Sequence, residues 1–307
     1  EMALNIIFMG TPKFCLPILN AIKKSEHNII GIYTQPPKKK DRGQKIDLTP
    51  VHKFAIENSI NIRHPENLDT NEEINFFKKK KPDVILVVAY GKIIPSKLLE
   101  IENTLFLNIH ASLLPKWRGA APIQRSIMNL DRETGVSIMK IIPKLDAGPV
   151  MMKSKVKISK DTNFEDLTLQ LSEISSKLIL QSLDRVEKGS VKFDKQDESK
   201  ISYAKKITKK ETKIIWSQKA KFIIAKINAL SPTPGAWFSL KGSRIKVIKA
   251  VEVKGSGNPG EIIDSKFVIA CSENAIQILE LQKAGKRKMI ISEFLKGNTL
   301  NVGFNVQ

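Results

Sequence analysis

A doubly wound α/β domain, followed by a linker and a small β-barrel domain, is the fold class that this 307-residue sequence predicts. Three observations predict it. Short apolar runs alternate with helix-period segments as far as Thr134, the rhythm of a parallel sheet with crossover helices. The run 83–89 (DVILVVA) is apolar from Val84 onward and does not alternate, as a strand covered by helices on both faces requires. Beyond residue 207, short strand-like runs take over, some separated by Gly-rich turns such as 255–260.

Residues 4–9 (LNIIFM) and 29–34 (IIGIYT) read as strands flanking a helix from Phe14 to Lys24. Helices near 50–58 and 71–80 precede the strand at 83–89, and another strand, 104–110, follows it directly. After Thr134, segments 135–142 and 149–158 look like paired strands, and 163–187 is a long amphipathic helix. The polar stretch 189–207 has no periodicity of its own and reads as a linker. The domains are therefore expected at 1–188 and 208–307. In the second, a helix near 217–230 precedes strands near 244–253, 260–270 and 275–281. Between Gln35 and Val51 the sequence QPPKKKDRGQKIDLTP reads as an irregular loop. It exceeds the ~12–15 residues common inside compact domains, so it is expected to be functional or disordered.

Hydrophobic residues make up 41% of the chain and charged residues 27%, which supports a packed core and excludes wholesale disorder. The longest apolar run, Val84 to Tyr90, is far short of the ~20 residues of a membrane helix. No basic region followed by an apolar stretch and a cleavage site opens the chain, so a cytoplasmic location is expected. Cys15 and Cys271 stand alone, without paired Cys or His at ligand spacing, which argues against a structural metal or a disulfide. Both are expected to be small buried hydrophobes.

The net charge of +20 is unevenly placed. Residues 1–200 hold 32 basic against 24 acidic side chains, whereas 201–307 hold 19 against 7. Within 201–250 there are 12 basic residues and a single acid, Glu211. A field that lopsided favours a polyanion such as nucleic acid; a lysine-rich solvated surface is the plainer alternative.

The densest chemical signal is 107–127, LNIHASLLPKWRGAAPIQRSI. Asn108 and His110 are two residues apart on a strand, so both side chains point to one face at the end where the strand runs into a loop. Ligands of open α/β sheets bind outside such carboxyl ends. Asp146 lies in Asp-Ala-Gly between two strand-like runs, where an aspartate ordinarily bonds its own backbone. Taken alone, His110 reads equally as a satisfied core histidine, and Asn108 as a structural amide.

Together FMGTPKF (8–14), VVAYGKIIP (87–95), NIHASLLPKWRGAAPIQRSI (108–127) and TGVSIMKIIPKLDAGPV (134–150) resemble the motifs of the methionyl-tRNA formyltransferase family, in its order and approximate spacing. The likeness continues through ISYAKKITKKETKIIW (201–216) and LQKAGKRKM (281–289), so it covers nearly the whole chain. It implies a Rossmann-like catalytic domain, a linker and an OB-type barrel. It also implies formyl transfer from 10-formyltetrahydrofolate to the α-amino group of methionyl initiator tRNA, with Asn108, His110 and Asp146 as the catalytic set. Asn108 and His110 are expected to stabilise the oxyanion, while Asp146 orients His110 or helps remove the amine proton. The resemblance sets Ser112, Leu113, Leu114 and Pro115 against folate, with Ala89, Tyr90, Gly91 and Ile93 beside the pterin. GTPKF lacks the full G-x-G-x-x-G pattern, so no nicotinamide site is expected. No metal and no membrane partner are expected, and a monomer is the default.

Arg42 matches the family's arginine-glycine position, and a guanidinium suits phosphate. Lys38, Lys39 and Lys40 precede it, where the family's common wording has small residues. The loop is expected to reach the acceptor end of tRNA, although any single lysine there also reads as a solvated charge. Lys205, Lys206, Lys209, Lys210 and Lys213 are the candidates for sequence-independent phosphate contacts. Lys78–Lys81, before Pro82, read as cations placed for the dipole of a helix end. Two rivals remain open: a formyltransferase acting on a sugar nucleotide or purine precursor, and an RNA-binding module without activity.

Overall fold

The computed structural model describes residues 2–40 and 45–306, and in it the first apolar run becomes strand β1 (Asn5–Gly10). Helix α1 (Cys15–Lys24) follows and buries Cys15, Ile18, Leu19 and Ile22, the i, i+3, i+4, i+7 stripe of a helix laid on a sheet. After β2 (Asn28–Tyr33), the lysine-rich segment forms two short antiparallel strands, β3 (Lys38–Lys40) and β4 (Lys45–Asp47), in place of the irregular loop that its composition suggests. The pairing is carried by backbone while Lys38 and Lys39 stay exposed, so no apolar alternation announces it. Arg42 lies outside the described residues.

Helix α2 (Pro50–Glu57) starts on Thr49, whose hydroxyl accepts the His52 N–H at 3.0 Å, with proline in the first turn. After β5 (Ile62–Arg63), α3 (Asn71–Lys80) begins on Thr70, with Glu72 and Glu73 in its first turn. Lys78–Lys80 occupy its last turn and Lys81 caps it in the left-handed region, the dipole-complementing arrangement the basic run predicts. Then come β6 (Val84–Val88), buried at every position, α4 (Ser96–Leu99), β7 (Leu105–His110) and β8 (Arg118–Gly119). Helix α5 (Pro122–Met128), strands β9 (Glu133–Lys140) and β10 (Val150–Lys157) and the long α6 (Phe164–Glu187) complete the first two thirds.

Seven of these strands form one sheet in the order β10-β9-β7-β6-β1-β2-β5. Strands β5, β2, β1, β6 and β7 are parallel neighbours, and β9 joins β7 antiparallel. The chain winds outward from β1 on one side and from β6 on the other, so the order reverses between them. At such a switch point the loops leaving the two strands diverge and open a crevice. The chain divides into two compact units. The first comprises the residues through Gly119, Gly135–Val156 and Thr168–Tyr203; its core gathers Ile7, Met9, Tyr33, Phe77, Ile85 and Val87.

The second unit comprises Ala120–Thr134, Lys157–Leu167 and the chain from Ala204 onward. After β11 (Tyr203–Ala204) and α7 (Ala220–Leu230) come β12 (Ala236–Leu240), β13 (Ser243–Val253), β14 (Ile262–Asp264), β15 (Val268–Ala270), β16 (Ala275–Lys283), β17 (Lys288–Ile290) and α8 (Ile291–Gly297). The strands from β12 onward form an antiparallel sheet, β12-β13-β16-β15-β14, with β17 on β16. Pairings among the described residues do not close it into a barrel. The expected single strand at 260–270 is a hairpin, because the Asp264 carboxylate accepts the Lys266 N–H at 2.6 Å and turns the chain. Strand β12 is an addition to the strands that the sequence pattern predicts. Lys241 and Gly242, both at positive φ, join it to β13 in the kind of tight turn that matches strand twist. Buried faces of α7 and this sheet meet around Ile223, Ile227, Phe238, Val247 and Phe267.

Cys15 and Cys271 are both free and buried, and burial pushes each thiol up to about 12. Among the described residues, no helix is long and apolar enough to cross a membrane, and no three His, Cys, Asp or Glu residues group as a metal site needs.

Inside the second unit, Arg125 of α5 holds the segment 205–211. Its guanidinium donates to Glu211 Oε1 at 2.6 Å and Oε2 at 3.3 Å, and to the carbonyls of Lys205 (2.9 Å) and Lys206 (3.3 Å). Arg125 foremost, with the Thr208 N–H, lowers the Glu211 carboxyl from its ordinary 4.5 to about 2. The folded value lies below the unfolded one, so this stabilisation is complete above pH 4.5 and is lost as pH falls from there through about 2. Arg125→Ala is expected to cost about 1–2 kcal/mol at pH 7, given partial exposure of the pair. Thermal unfolding of wild type and variant should show that difference shrinking steadily between pH 5 and pH 2.

Candidate active site

Strands β6 and β7 are adjacent and parallel, with Val87 opposite Asn108, so the loops that leave Val88 and His110 open on the same edge of the sheet. Asn108 and His110 share one face of β7, two residues apart. The Asn108 side chain is half-buried and has no hydrogen-bond partner among the described residues. An amide kept dry on one side with its donors unused is suited to receive a ligand oxygen.

His110 is held at Nε2 and faces Asp146 at Nδ1. Its Nε2 lies 2.7 Å from the Trp117 carbonyl oxygen, and its Nδ1 lies 3.7 Å from Asp146 Oδ2. A carbonyl only accepts, so Nε2 carries the hydrogen and, in the neutral ring, Nδ1 carries the lone pair. At 3.7 Å the Nδ1–carboxylate contact is an ion-pair distance and not yet a hydrogen bond. Both side chains are about nine-tenths buried, which removes most competing water.

Asp146 reaches this position from the turn between β9 and β10. Its φ is 50°, a left-handed conformation that aspartate tolerates better than most residues. Two residues on, a Cβ at Gly148 would sit 1.7 Å from the Lys140 carbonyl oxygen, so only glycine lets the turn close against β9. The carboxylate does not bond its own turn. Instead its Oδ2 accepts the Gly119 N–H at 2.8 Å, across from β8. This is the opposite of the local Asx bonding that Asp-Ala-Gly suggests by itself.

The loop 111–117 is shaped from within. The Ser112 hydroxyl donates to the Lys116 carbonyl at 2.6 Å, and the buried Ser137 hydroxyl links Ser112 O (2.7 Å) to Leu114 N–H (3.0 Å). Ser112, Leu114 and Pro115 are buried, leaving Leu113 half-exposed. On the β6 side, Ala89 and Gly91 have positive φ and are exposed, whereas the Tyr90 ring is buried between them. The Tyr90 carbonyl accepts from Thr11 Oγ1 and Gln35 Nε2, each at 3.1 Å, which ties this loop to the ends of β1 and β2. Ile93 projects into solvent at 84% exposure. At this edge of the sheet the exposed backbone of Ala89 and Gly91 and the Asn108 amide offer hydrogen-bonding groups, and Ile93 offers an exposed apolar side chain.

Of the sequence-predicted residues, the structure brings Asn108, His110 and Asp146 to one strand end, beside the loops holding the folate candidates. Lys38, Lys39 and Lys40 lie on the β3–β4 pair in the first unit. Lys205, Lys206, Lys209 and Lys210 are exposed in the second. Sequence reasoning missed Ser137, Gln35 and Trp117 as parts that shape the site. Ser137 stands in TGVSIM opposite His110 in the β7–β9 register, which a strand-pairing argument could have found. A carbonyl contact such as that of Trp117 leaves no trace in side-chain pattern.

The family model for Formyl transferase matches residues 4–183, and that for Formyl transferase, C-terminal domain, matches residues 206–299. A methionyl-tRNA formyltransferase of Pelagibacter ubique is 44% identical, covering 99% of this chain and 99% of its own. That of Paracoccus denitrificans is 42% identical, over 97% and 98%. Among solved structures, WlaRD, a sugar 3N-formyl transferase, is similar at TM-score 0.67 and 21% identity, with 94% of this chain and 100% of that one covered. HypX from Aquifex aeolicus in complex with tetrahydrofolic acid gives 0.67 at 18%, with 99% of this chain covered and this chain spanning 51% of HypX. These two likenesses show the fold alone. The full-length relatives say more: the chain belongs to the methionyl-tRNA formyltransferase family.

Proposed function

We propose that the protein transfers the formyl group of 10-formyltetrahydrofolate to the α-amino group of methionyl initiator tRNA, in the cytoplasm and as a monomer. The observation that carries this reading is the His110–Asp146 pair standing beside the unpartnered amide of Asn108 at the mouth of β6 and β7. In the reaction a C–N bond forms between the amine and the formyl carbon, the bond to N10 breaks, and one proton passes from the amine to N10. The amine must be neutral to attack; model α-amines titrate at ~7.7–8, so a neutral fraction exists near pH 7 without special tuning.

Each side chain has work its geometry favours. The Asn108 amide donates to the oxygen that becomes negative. Nδ1 of His110, the nitrogen not engaged by Trp117, takes up the proton; Asp146 then closes from 3.7 Å to hydrogen-bond distance and stabilises the charged ring. This favours a proton-carrying role for the His110–Asp146 pair and leaves oxyanion stabilisation mainly to Asn108. Ala89, Gly91, Ile93 and Leu113 offer exposed surface to the folate, while Tyr90, Ser112, Leu114 and Pro115 hold that wall from behind.

In this reading residues 1–188 perform the chemistry, 189–207 connect, and 208–307 form an OB-type domain that binds tRNA. Glu211, the one acid of 201–250, is consumed by Arg125, so the exposed lysines around it act on a polyanion without local compensation. Arg42 and Lys38–Lys40 serve the acceptor end.

Formylation of methionyl initiator tRNA, set against methionyl elongator tRNA at fixed salt, tests the reading directly; activity confined to a free sugar nucleotide would sink it. Asn108→Ala, His110→Ala and Asp146→Ala should each fold and lower kcat about 10²–10³-fold. Near-wild-type turnover by any one of them removes that residue from the set. Replacing Lys205, Lys206, Lys209 and Lys210 by alanine should flatten the dependence of log affinity for tRNA on log salt, the slope falling by about one for each phosphate no longer neutralised. Arg42→Ala should weaken tRNA acceptance far more than folate binding. Equal effects on tRNA and folate would contradict both assignments.

A further inference from the structure

The segment 190–203, which reads in sequence as a featureless connection, is fastened to both sides of the candidate site. Asp194 and Val150 exchange backbone hydrogen bonds at 2.8 and 2.9 Å. Further on, the Ser202 hydroxyl accepts the Trp117 N–H at 3.0 Å, and the Ser202 carbonyl accepts the Arg118 N–H at 2.9 Å. Trp117 is the residue whose carbonyl fixes the His110 tautomer, so this end of the segment braces the histidine.

Gln196 braces the aspartate. Its amide nitrogen donates two hydrogen bonds, to the carbonyls of Asp146 and Gly148, both at 2.8 Å. Its amide oxygen accepts from Arg118, at 3.0 Å from Nε and 2.8 Å from Nη2. Arg118 is fully buried, and its Nη2 also donates to Glu198 Oε1 at 3.1 Å. The guanidinium fixes which end of the Gln196 amide faces the turn, because a cation with five donors can meet only the oxygen. The turn needs such a clamp: Asp146 sits at φ 50°, a left-handed conformation that is costly outside glycine and persists only where the surroundings over-determine it.

We propose that Gln196 is a positioning residue for formyl transfer, clamping the 146–148 turn so that the Asp146 carboxylate faces His110. The proposal rests on the roles given to Asp146 and His110 above. It makes the connecting segment part of the catalytic apparatus. A misplacement of about 1 Å at such a carboxylate is enough to cost ~10²-fold in rate.

The test uses the full-length protein with Gln196→Met, which removes donors and acceptor at near-constant volume, and Gln196→Glu, which keeps an acceptor for Arg118 but turns oxygen toward two carbonyls. Both should lower kcat about 10–100-fold, with KM for 10-formyltetrahydrofolate and for methionyl initiator tRNA within about threefold of wild type. In an Asp146→Ala background Gln196→Met should cost less than about twofold, because the residue acts through Asp146. An equal penalty with and without Asp146, or kcat within twofold of wild type, overturns the proposal. A second readout is independent of turnover: with four histidines in the chain, the His110 ring resonance can be followed by NMR. It should move in Gln196→Met toward its position in Asp146→Ala; a resonance unmoved by Gln196→Met overturns the proposal even if activity falls. Inactive wild type with the resonance shifted would instead count against the proposed substrates and leave the clamp standing.

Discussion

A carbonyl oxygen cannot donate a proton, and the candidate site is organised around that fact. Because Trp117 O sits 2.7 Å from His110 Nε2, the hydrogen of the neutral ring is committed there and Nδ1 is the nitrogen left for chemistry. Asp146 lies on the Nδ1 side. Had Nε2 been free, the neutral ring could have put its hydrogen on Nδ1 and donated it to Asp146, leaving no lone pair on that side. The arrangement depends on a left-handed Trp117, at φ 57°, which swings its carbonyl back toward β7. Conformations of this kind are held by their surroundings, and here the Ser202 hydroxyl takes the Trp117 N–H.

The sheet accounts for why Asn108, His110 and Asp146 converge at all. Asn108 and His110 are neighbours by the two-residue period of β7; Asp146 is far along the chain and arrives because β9 pairs antiparallel with β7 and then turns. Gly148 permits the close return, and the Gly119 N–H catches the carboxylate. Two strands and one turn therefore convert a sequence separation of dozens of residues into an ion-pair distance. The loops after β1 and β6 stand at the switch point beside them, held to each other through the Tyr90 carbonyl.

Much of this was legible in the sequence, and the reason is periodicity. The unbroken apolar run of β6, the helix stripe of α1 and the threonine caps of α2 and α3 each carry a local signal, and their strands and helices lie within a residue or two of expectation. The same-face pairing of Asn108 and His110 also follows from strand geometry alone. What stayed hidden depends on backbone. The β3–β4 pair hydrogen-bonds through a lysine run in which Lys38 and Lys39 are exposed, β12 follows a proline-rich stretch, and the 260–270 run folds on itself through one aspartate. Within the site, the Trp117 carbonyl and the polar segment 190–203 were invisible for the same reason: partners chosen by main-chain atoms leave no pattern in side-chain type.

Burying an arginine beside the candidate site needs a physical reason, since a guanidinium stripped of water is costly unless most of its donors are met. Arg118 meets Gln196 twice and Glu198 once, yet its buried Nη1 has no partner among the described residues. An apolar side chain of similar volume would avoid that loss. What it could not do is polarise the Gln196 amide. A cation on the amide oxygen draws electron density from the nitrogen and strengthens the two hydrogen bonds that nitrogen donates, an effect greatest where the local dielectric is low. The buried charge thus trades stability for rigidity at the 146–148 turn, where a small displacement of the carboxylate matters most. Glu198, exposed and shared with Lys144, balances the charge at the outer edge, where water lowers the cost of holding it.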